Sequence, residues 1–382
     1  MRGWAARLAA VVALVVLVSG CSVGPIRRPA PTKVPSAPSD QQEDVSGAQS
    51  PKPPLPPDET RRSRVPVPAG YGQHQIEFTD AAHGYAVFTN CPPGPADGPK
   101  ADCPAILLVT ADGGRSWQPL RHPRPRAKNH QLYAEGSNLV LLAEPYGWWT
   151  STDRGRTFKA APATADGVPV VYRKLFGRFQ VCCDEGTPQV GEWVDDRFRP
   201  VPTQPMVPGL NMVAHTGGRL FVSGLRDGQP YAAYSYDLGQ TWRSMTVAAP
   251  DSPLSVLRLE VAAFDGGAWL IGHGDDRMAF PQLWQLSGGT AWERVRVAGQ
   301  PAQVGGVAVI GAGMLAVTGP GGSGVIGEGQ YHDLGWPLGG GFVRTLSDGT
   351  LFSAHKSDGS VWLGIGIYGE RRWIRVVLEK QE

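Results

Sequence analysis

Thr110-Ala-Asp112-Gly-Gly114-Arg-Ser116-Trp117 recurs with the same skeleton as Ser151-Thr-Asp153-Arg-Gly155-Arg-Thr157-Phe158 and as Ser235-Tyr-Asp237-Leu-Gly239-Gln-Thr241-Trp242. Each copy has a hydroxyl residue, an Asp two places on, a Gly two places further, a second hydroxyl residue and an aromatic. Turn chemistry explains the grouping: a carboxylate accepts backbone N–H bonds, Gly supplies positive φ, and the aromatic anchors the turn by packing. Three matches to one five-position pattern mark an internal repeat, and a repeat at a fixed period governs the fold. The Asp residues stand 41 positions apart (112 to 153) and then 84 apart (153 to 237), which is two steps of 42. A copy is therefore due near 195, where Trp193-Val-Asp195-Asp196-Arg-Phe198 stands without the Gly. Further decayed copies end at Trp292 after Ser287-Gly-Gly289, at Trp336 after Asp333-Leu-Gly335 and at Trp373 after Tyr368-Gly-Glu370.

Between copies the chain is written as short strands, for example Gln75-Ile-Glu-Phe-Thr, Gly84-Tyr-Ala-Val-Phe, Ala105-Ile-Leu-Leu-Val-Thr and Ser116-Trp-Gln-Pro-Leu. Apolar alternation bounded by Gly and Asp is the signature of half-buried strands joined by turns. The 50 Gly and 35 Pro among 382 residues exclude a helical protein and support an all-β domain. Seven units over residues 67–382 average about 45 residues each, the length of a four-stranded blade.

The repeated motif resembles the Asp-box, or BNR repeat, of sialidase-like β-propellers. The resemblance implies a β-propeller of four-stranded antiparallel blades, seven by the count above, with six, the number in sialidases, as the alternative. It puts the boxes on turns between third and fourth strands, away from the ligand-binding face. Thr110, Asp112, Gly114, Trp117, Ser151, Asp153, Gly155, Phe158, Ser235, Asp237, Gly239 and Trp242 are then structural clasps rather than catalytic residues.

The first twenty residues read as a secretory signal: Arg2 and Arg7 precede an apolar run from Leu8 to Val18, too short to span a bilayer, which takes roughly 20 residues. Val18-Ser-Gly-Cys21 resembles the bacterial lipobox, which implies lipidation of Cys21 and cleavage in front of it. The expected product is exported and anchored to the outer face of the cell membrane through Cys21, since two or more acyl chains anchor stably. Residues 21–66, rich in Pro, Ser, Gln and charge, bury too little apolar surface to fold and read as a disordered tether. Extended, the 45 residues after Cys21 reach roughly 100 Å. Arg61, Arg62 and Arg64 read as a solvated charge run at its end. The domains expected are thus 1–20, 21–66 and 67–382.

Cys91, Cys103, Cys182 and Cys183 remain in an oxidising compartment, and three pairings are possible. Cys91 and Cys103 flank one Pro/Gly-rich loop and are the favoured bridge; adjacent Cys182 and Cys183 are the candidate vicinal pair. Neither a C-x-x-C nor a nearby His pair suggests a metal, and no cofactor is expected. A net charge of +2 from 36 Lys+Arg and 34 Asp+Glu gives no global field for nucleic acid.

If boxes join third and fourth strands, the second-to-third turns and the connections between units gather on the other face. There lie the loop from Cys91 to Cys103, the basic stretch Arg121-His-Pro-Arg124-Pro-Arg126-Ala-Lys128-Asn-His130, Cys182 to Glu185, Arg226-Asp227, His273-Gly-Asp275-Asp276-Arg277 and His355-Lys356. Arg121, Arg124 and Arg126 are the candidate anion contacts. His273, Asp275, Asp276 and Arg277 are read first as polar turn residues and only second as a cation site. Gly322-Ser-Gly324-Val-Ile-Gly327 matches a dinucleotide fingerprint but no helix follows, so it reads as a second-to-third loop. Trp148-Trp149 reads as packing between blades rather than a sugar platform.

The leading expectation is a non-catalytic binding or scaffold module for a protein or glycan partner. The alternative is an exo-acting glycoside hydrolase of the sialidase superfamily, whose mechanism needs three convergent arginines, a Tyr nucleophile backed by a Glu, and an Asp acid. Ser63-Arg64-Val-Pro66 is the nearest match to that family's first-arginine motif and lacks its aromatic. The resemblance also permits an assembly factor like the Asp-box propellers that aid photosystem II biogenesis.

Overall fold

In the computed structural model, residues 73–120 run up and down through four strands: Gln73–Phe78, Gly84–Thr89, Cys103–Thr110 and Gln118–Leu120. Each pairs antiparallel with the next. The second strand, Gly-Tyr-Ala-Val-Phe-Thr, is buried along its whole length, which is why it is apolar on both faces rather than alternating. The structure describes residues 51–382 apart from 93–101, 165–166, 185–186, 196, 263–266, 339–340, 355–357 and 381–382, with the side chains of Gln73, His74, Cys183 and Asp184 also outside it.

The same meander recurs at 129–161, 210–247, 256–295 and 306–333, and with three strands at 179–200. The sheets at 210–247 and 256–295 join through a short parallel pairing of Thr246 and Val247 with Ala291 and Trp292, giving one eight-stranded sheet. The last sheet has strands Val343–Thr345, Leu351–Ala354, Val361–Ile367 and Glu370–Lys380, with Glu59–Val65 added parallel to its outer edge. These small antiparallel sheets form a propeller-like, all-β arrangement. Among the described residues no helix is long and apolar enough to cross a membrane.

Core clusters lie between consecutive sheets. Tyr85 and Leu107 of the first meet Leu132 and Leu139 of the second, and Val190 of the third meets Leu220 and Val222 of the fourth. Leu363 and Val376 of the last sheet meet Phe78 and Leu108 of the first. Each fully buried Leu, Val or Phe contributes about 1.5–3 kcal/mol, so the seams between sheets hold the ring. Inner strands are also stitched by side chains. Gln75 Nε2 donates to Leu132 O at 2.7 Å, Thr345 Oγ1 to Val309 O at 2.7 Å, and Arg344 to Phe78 O at 3.2 Å. The last of these joins the end of the ring to its beginning.

Four expectations need correction. Glu59–Val65 is a strand, not tether, and its partners Ile374–Lys380 lie at the far end of the chain. Arg61 is buried at 7% exposure rather than solvated, with Nη1 donating to Gly113 O at 2.6 Å. Gly322–Gly327 is the third strand of its sheet, flanked on both sides, not a loop. The outer hairpin of that sheet turns at Glu328-Gly329, so Trp336 follows the fourth strand instead of ending a third-to-fourth turn. In the 179–200 sheet, the hairpin at Asp195-Asp196 does occupy the spacing-predicted position, between Val194 and Arg197.

Candidate functional site

The three full motifs build one hydrogen-bonded turn three times. Thr110 Oγ1 donates to Asp112 Oδ1 at 2.8 Å and accepts from Gly114 N at 2.9 Å. Asp112 also accepts from Ser116 N at 3.0 Å and Ser116 Oγ at 2.6 Å. Ser151, Asp153, Gly155 and Thr157 repeat these bonds at 2.7–3.0 Å, as do Ser235, Asp237, Gly239 and Thr241 at 2.7–2.9 Å. All three turns link the third and fourth strands of their sheets. Burial pushes the Asp112 carboxyl up, but bonds from Ser116 and Thr110 outweigh it and bring it down to about 2. Thr241 and Ser235 hold Asp237 down to about 2 as well. These carboxylates are committed to their own turns and are free for no chemistry. Trp117 is buried edge-on against Phe78, and Trp242 Nε1 donates to Thr203 O at 2.7 Å across the seam from the preceding sheet.

In an antiparallel meander, the first-to-second and third-to-fourth turns share one edge, while the second-to-third turns and the exits to the next sheet share the other. The described parts of the expected loops at 91–103, 121–130, 226–227 and 273–277 fall on that second edge. Cys91 and Cys103 are bridged, with Cα atoms 4.4 Å apart. The 121–130 connection is laced to this bridge: Arg126–Ala127 pairs with Cys103-Pro104, and Ala105 N donates to Pro125 O at 2.8 Å. Arg124 lies 3.8 Å over the Tyr146 ring, and Tyr146 Oη donates to Asp102 Oδ2 at 2.7 Å. Arg121 and Arg126 are exposed beside it. Tyr146 and Asp102 escape the sequence reading because nothing local links them to Arg124; the short turn at Pro145-Tyr146 was the available signal.

His122 and His130 face each other edge-on, 5.1 Å apart, beneath the arginines. His122 Nδ1 accepts from Arg124 N at 3.1 Å, and burial, with His130 as a second cause, lowers His122 to about 3. A folded value below the ordinary 6.5 means the unfolded chain binds the proton first. The stability contribution is therefore complete above pH 6.5 and is lost as pH falls toward 3. Between pH 6.5 and 5 it amounts to about 2 kcal/mol. In a His122→Asn variant, whose amide oxygen keeps the acceptor, the fall in thermal midpoint over that range is expected to flatten; an unchanged slope would locate the proton elsewhere.

The 273–277 loop is separate, and no contact joins it to the arginines among the described residues. Asp275 accepts from Ser255 Oγ, and Asp276 Oδ1 accepts from Met278 N at 2.9 Å. His273 is lowered to about 4 by burial and by the charges of Arg258 and Arg277. Asp276 serves its own turn and Asp275 ties the loop to Ser255, and no group of three or more His, Cys, Asp or Glu able to hold a metal occurs among the described residues. Cys182 is half-buried on the strand Phe179–Asp184, while the side chain of Cys183 and residues His355-Lys356 lie outside the described residues. Trp148 is buried against Tyr172, ring centroids 4.6 Å apart, and Trp149 packs on the seam between the first two sheets.

At the inner edge, the first strands of the sheets carry two arginines, Arg258 and Arg344. Arg344 pairs with Glu77, and Arg258 with Glu260 at 3.2 Å. Burial raises both carboxyls, against the pull of the paired arginine. Arg64 is exposed on the outermost strand of the last sheet, remote from this edge.

No family model matches the chain, and no curated protein matches it. Among solved structures it is similar to YCF48 bound to D1 peptide, at 15% identity over 87% of this chain and 88% of that one, TM-score 0.30. It is also similar to apo AztD from Citrobacter koseri, at 12% identity over 79% and 88%, TM-score 0.39. A GH74 enzyme from Niastella koreensis aligns at 14% identity over 80% of this chain, TM-score 0.31, and the alignment spans about half (46%) of that enzyme.

Proposed function

We propose that the chain is an exported lipoprotein, anchored through Cys21, whose seven-bladed Asp-box propeller binds a protein or glycan partner through the edge opposite the boxes. The reading of seven blades is supported by counting the two meanders of the eight-stranded sheet separately. The observation that carries the binding reading is the Arg-rich 121–130 connection at the edge opposite the boxes, laced to the Cys91–Cys103 bridge and stacked on Tyr146. Exposed large apolar side chains alone do not set this edge apart, since Tyr236 and Leu238 are exposed on a box turn. The three box turns use their Asp oxygens internally. The other edge presents exposed Arg121 and Arg126, the Arg124–Tyr146 stack, and exposed Met206, Met278 and Phe342. Arg, Met and aromatic side chains are the types enriched at recognition surfaces.

The hydrolase reading requires three arginines converging on one substrate carboxylate. Two first-strand arginines, each facing its own glutamate, favour binding over hydrolysis. Site-specific photocross-linking in the producing cell tests the proposal. The chain with a cross-linker at 121 is expected to sediment with membranes and capture one discrete partner, while a cross-linker at exposed 156, on a box turn, captures none. A Cys21→Ser chain is expected in the soluble fraction. Capture from 156 but not 121, or membrane retention of Cys21→Ser, overturns the corresponding half of the proposal.

A further inference from the structure

Beside the third sheet, which has only three strands, the short helix Val170–Lys174 stands between it and the second sheet. A cavity of about 380 Å³ opens there, between the outer strand Lys159–Ala161 on one side and Val168 to Val171 on the other, with Trp193 and Arg173 at its end. This volume falls in the range of small-molecule sites and holds about a dozen non-hydrogen atoms at roughly 30 Å³ each.

Its two charged side chains are both cations, and the threonines Thr150 and Thr164 complete the polar part of the lining with Trp193. Arg173 lies with its guanidinium carbon 4.0 Å over the Trp193 ring, and its Nε donates to Val168 O at 3.3 Å. Neither of its Nη groups has a partner among the described residues. Trp193 Nε1 is buried and likewise without an acceptor among them. Lys159, the other charged side chain on the wall, enters no ion pair among the described residues. Guanidinium, ammonium and indole N–H are all donors that cannot accept. A wall with two cations and no carboxylate calls for a negatively charged partner. The Arg fork, held flat on the indole, matches a carboxylate in two parallel hydrogen bonds. Ala160, Ala161, Pro162 and Val170 add apolar wall, which favours a carbon body over a hydrated inorganic ion.

We propose that this cavity binds a small organic carboxylate, held by Arg173 and Lys159. The site lies on the connection that leaves the second sheet and does not depend on the partner proposed for the loop edge.

Calorimetry and ligand-observed NMR on the full chain, with benzoate and glucuronate as probes and benzamide, glucose and inorganic phosphate as comparators, test it. The carboxylates are expected to bind and their neutral counterparts not. Arg173→Gln is expected to weaken the carboxylates at least about tenfold, the loss of a charged bidentate pair. Should Arg173→Gln fail to fold, exposed Lys159→Gln still reports, with a loss of about threefold at unchanged thermal midpoint. Equal binding of benzamide, binding of phosphate alone, unchanged affinity in the folded variants, or no carboxylate binding up to about 10 mM would each overturn the proposal.

Discussion

A chain shortened to begin at Pro66 is expected to lose its cooperative unfolding transition, while one beginning at Pro51 unfolds at the midpoint of the full chain. The deeper cut removes residues 51–65: Leu55 N and Asp58 N, which donate to Gly335 O and Trp373 O at 2.6 and 2.9 Å, and the strand Glu59–Val65, which pairs residue for residue with Ile374–Lys380. Its side chains alternate: Arg61, Ser63 and Val65 point inward and are buried, and Arg62 and Arg64 point outward. Val65, fully buried between the last and first sheets, contributes about 1.5–3 kcal/mol. Arg61 donates to Gly113 O at 2.6 Å, and Ser63 Oγ to Gly114 O at 2.5 Å and Arg115 O at 3.0 Å. The strand thereby fastens the first box turn to the last sheet. A charged hydrogen bond contributes about 1.5–3 kcal/mol and a neutral one about 1. With the ladder bonds to the outer strand, the loss is on the order of 5–10 kcal/mol, comparable to the whole stability of a typical domain. Circular dichroism melts of the two shortened chains decide it; equal midpoints would mean that the ring closes without this strand.

The contrast between these turns and this strand explains what the sequence discloses. Every partner of Asp112 lies between Thr110 and Ser116, so the whole turn is written in one window and repeats visibly. The Cys91–Cys103 bridge was legible for the same reason, since one short loop separates its ends. Glu-Thr-Arg-Arg-Ser-Arg-Val, by contrast, has its ladder partners some 315 positions away, and its inward arginine is satisfied by the Glu59 carboxylate and by Gly113 O, a distant carbonyl that no local pattern announces. Gly322-Ser-Gly-Val-Ile-Gly misleads in the other direction. Its glycines suggest a loop, yet Gly324 sits in a strand whose Cβ position is taken by the backbone of His332 in the neighbouring strand. Arg124, Tyr146 and Asp102 meet only because two sheets and a connection converge. Candidate contacts on loops are therefore legible as residue types but not as constellations.

Gly239→Ala is expected to destabilise the protein by about 3 kcal/mol, well beyond the effect of Gly288→Ala in a decayed copy of the same turn. Gly239 has φ +90°, outside the comfortable left-handed well, and a Cβ there would stand 2.6 Å from Val201 Cβ. Val201 has little room to retreat: it is branched and buried, and its N donates to Val190 O at 3.0 Å. Backbone strain and overpacking each cost about 1–3 kcal/mol. At Gly288 φ is +55° and nothing lies within 4 Å of the added methyl, so only the left-handed penalty of about 1–2 kcal/mol remains. Gly288 stands where the full motif has Leu238, one place before the glycine, so the comparison separates left-handed strain from the contact with Val201, through which a turn of one sheet presses against the sheet before it. Gly114 makes the same kind of contact with Val376, where the added Cβ would stand 2.7 Å from Cγ1. Urea midpoints measured at constant m-value compare the two alanines. If Gly239→Ala proves as mild as Gly288→Ala, the box glycine serves only its own turn, and the seam between third and fourth sheets is held by Trp242 and its apolar neighbours alone.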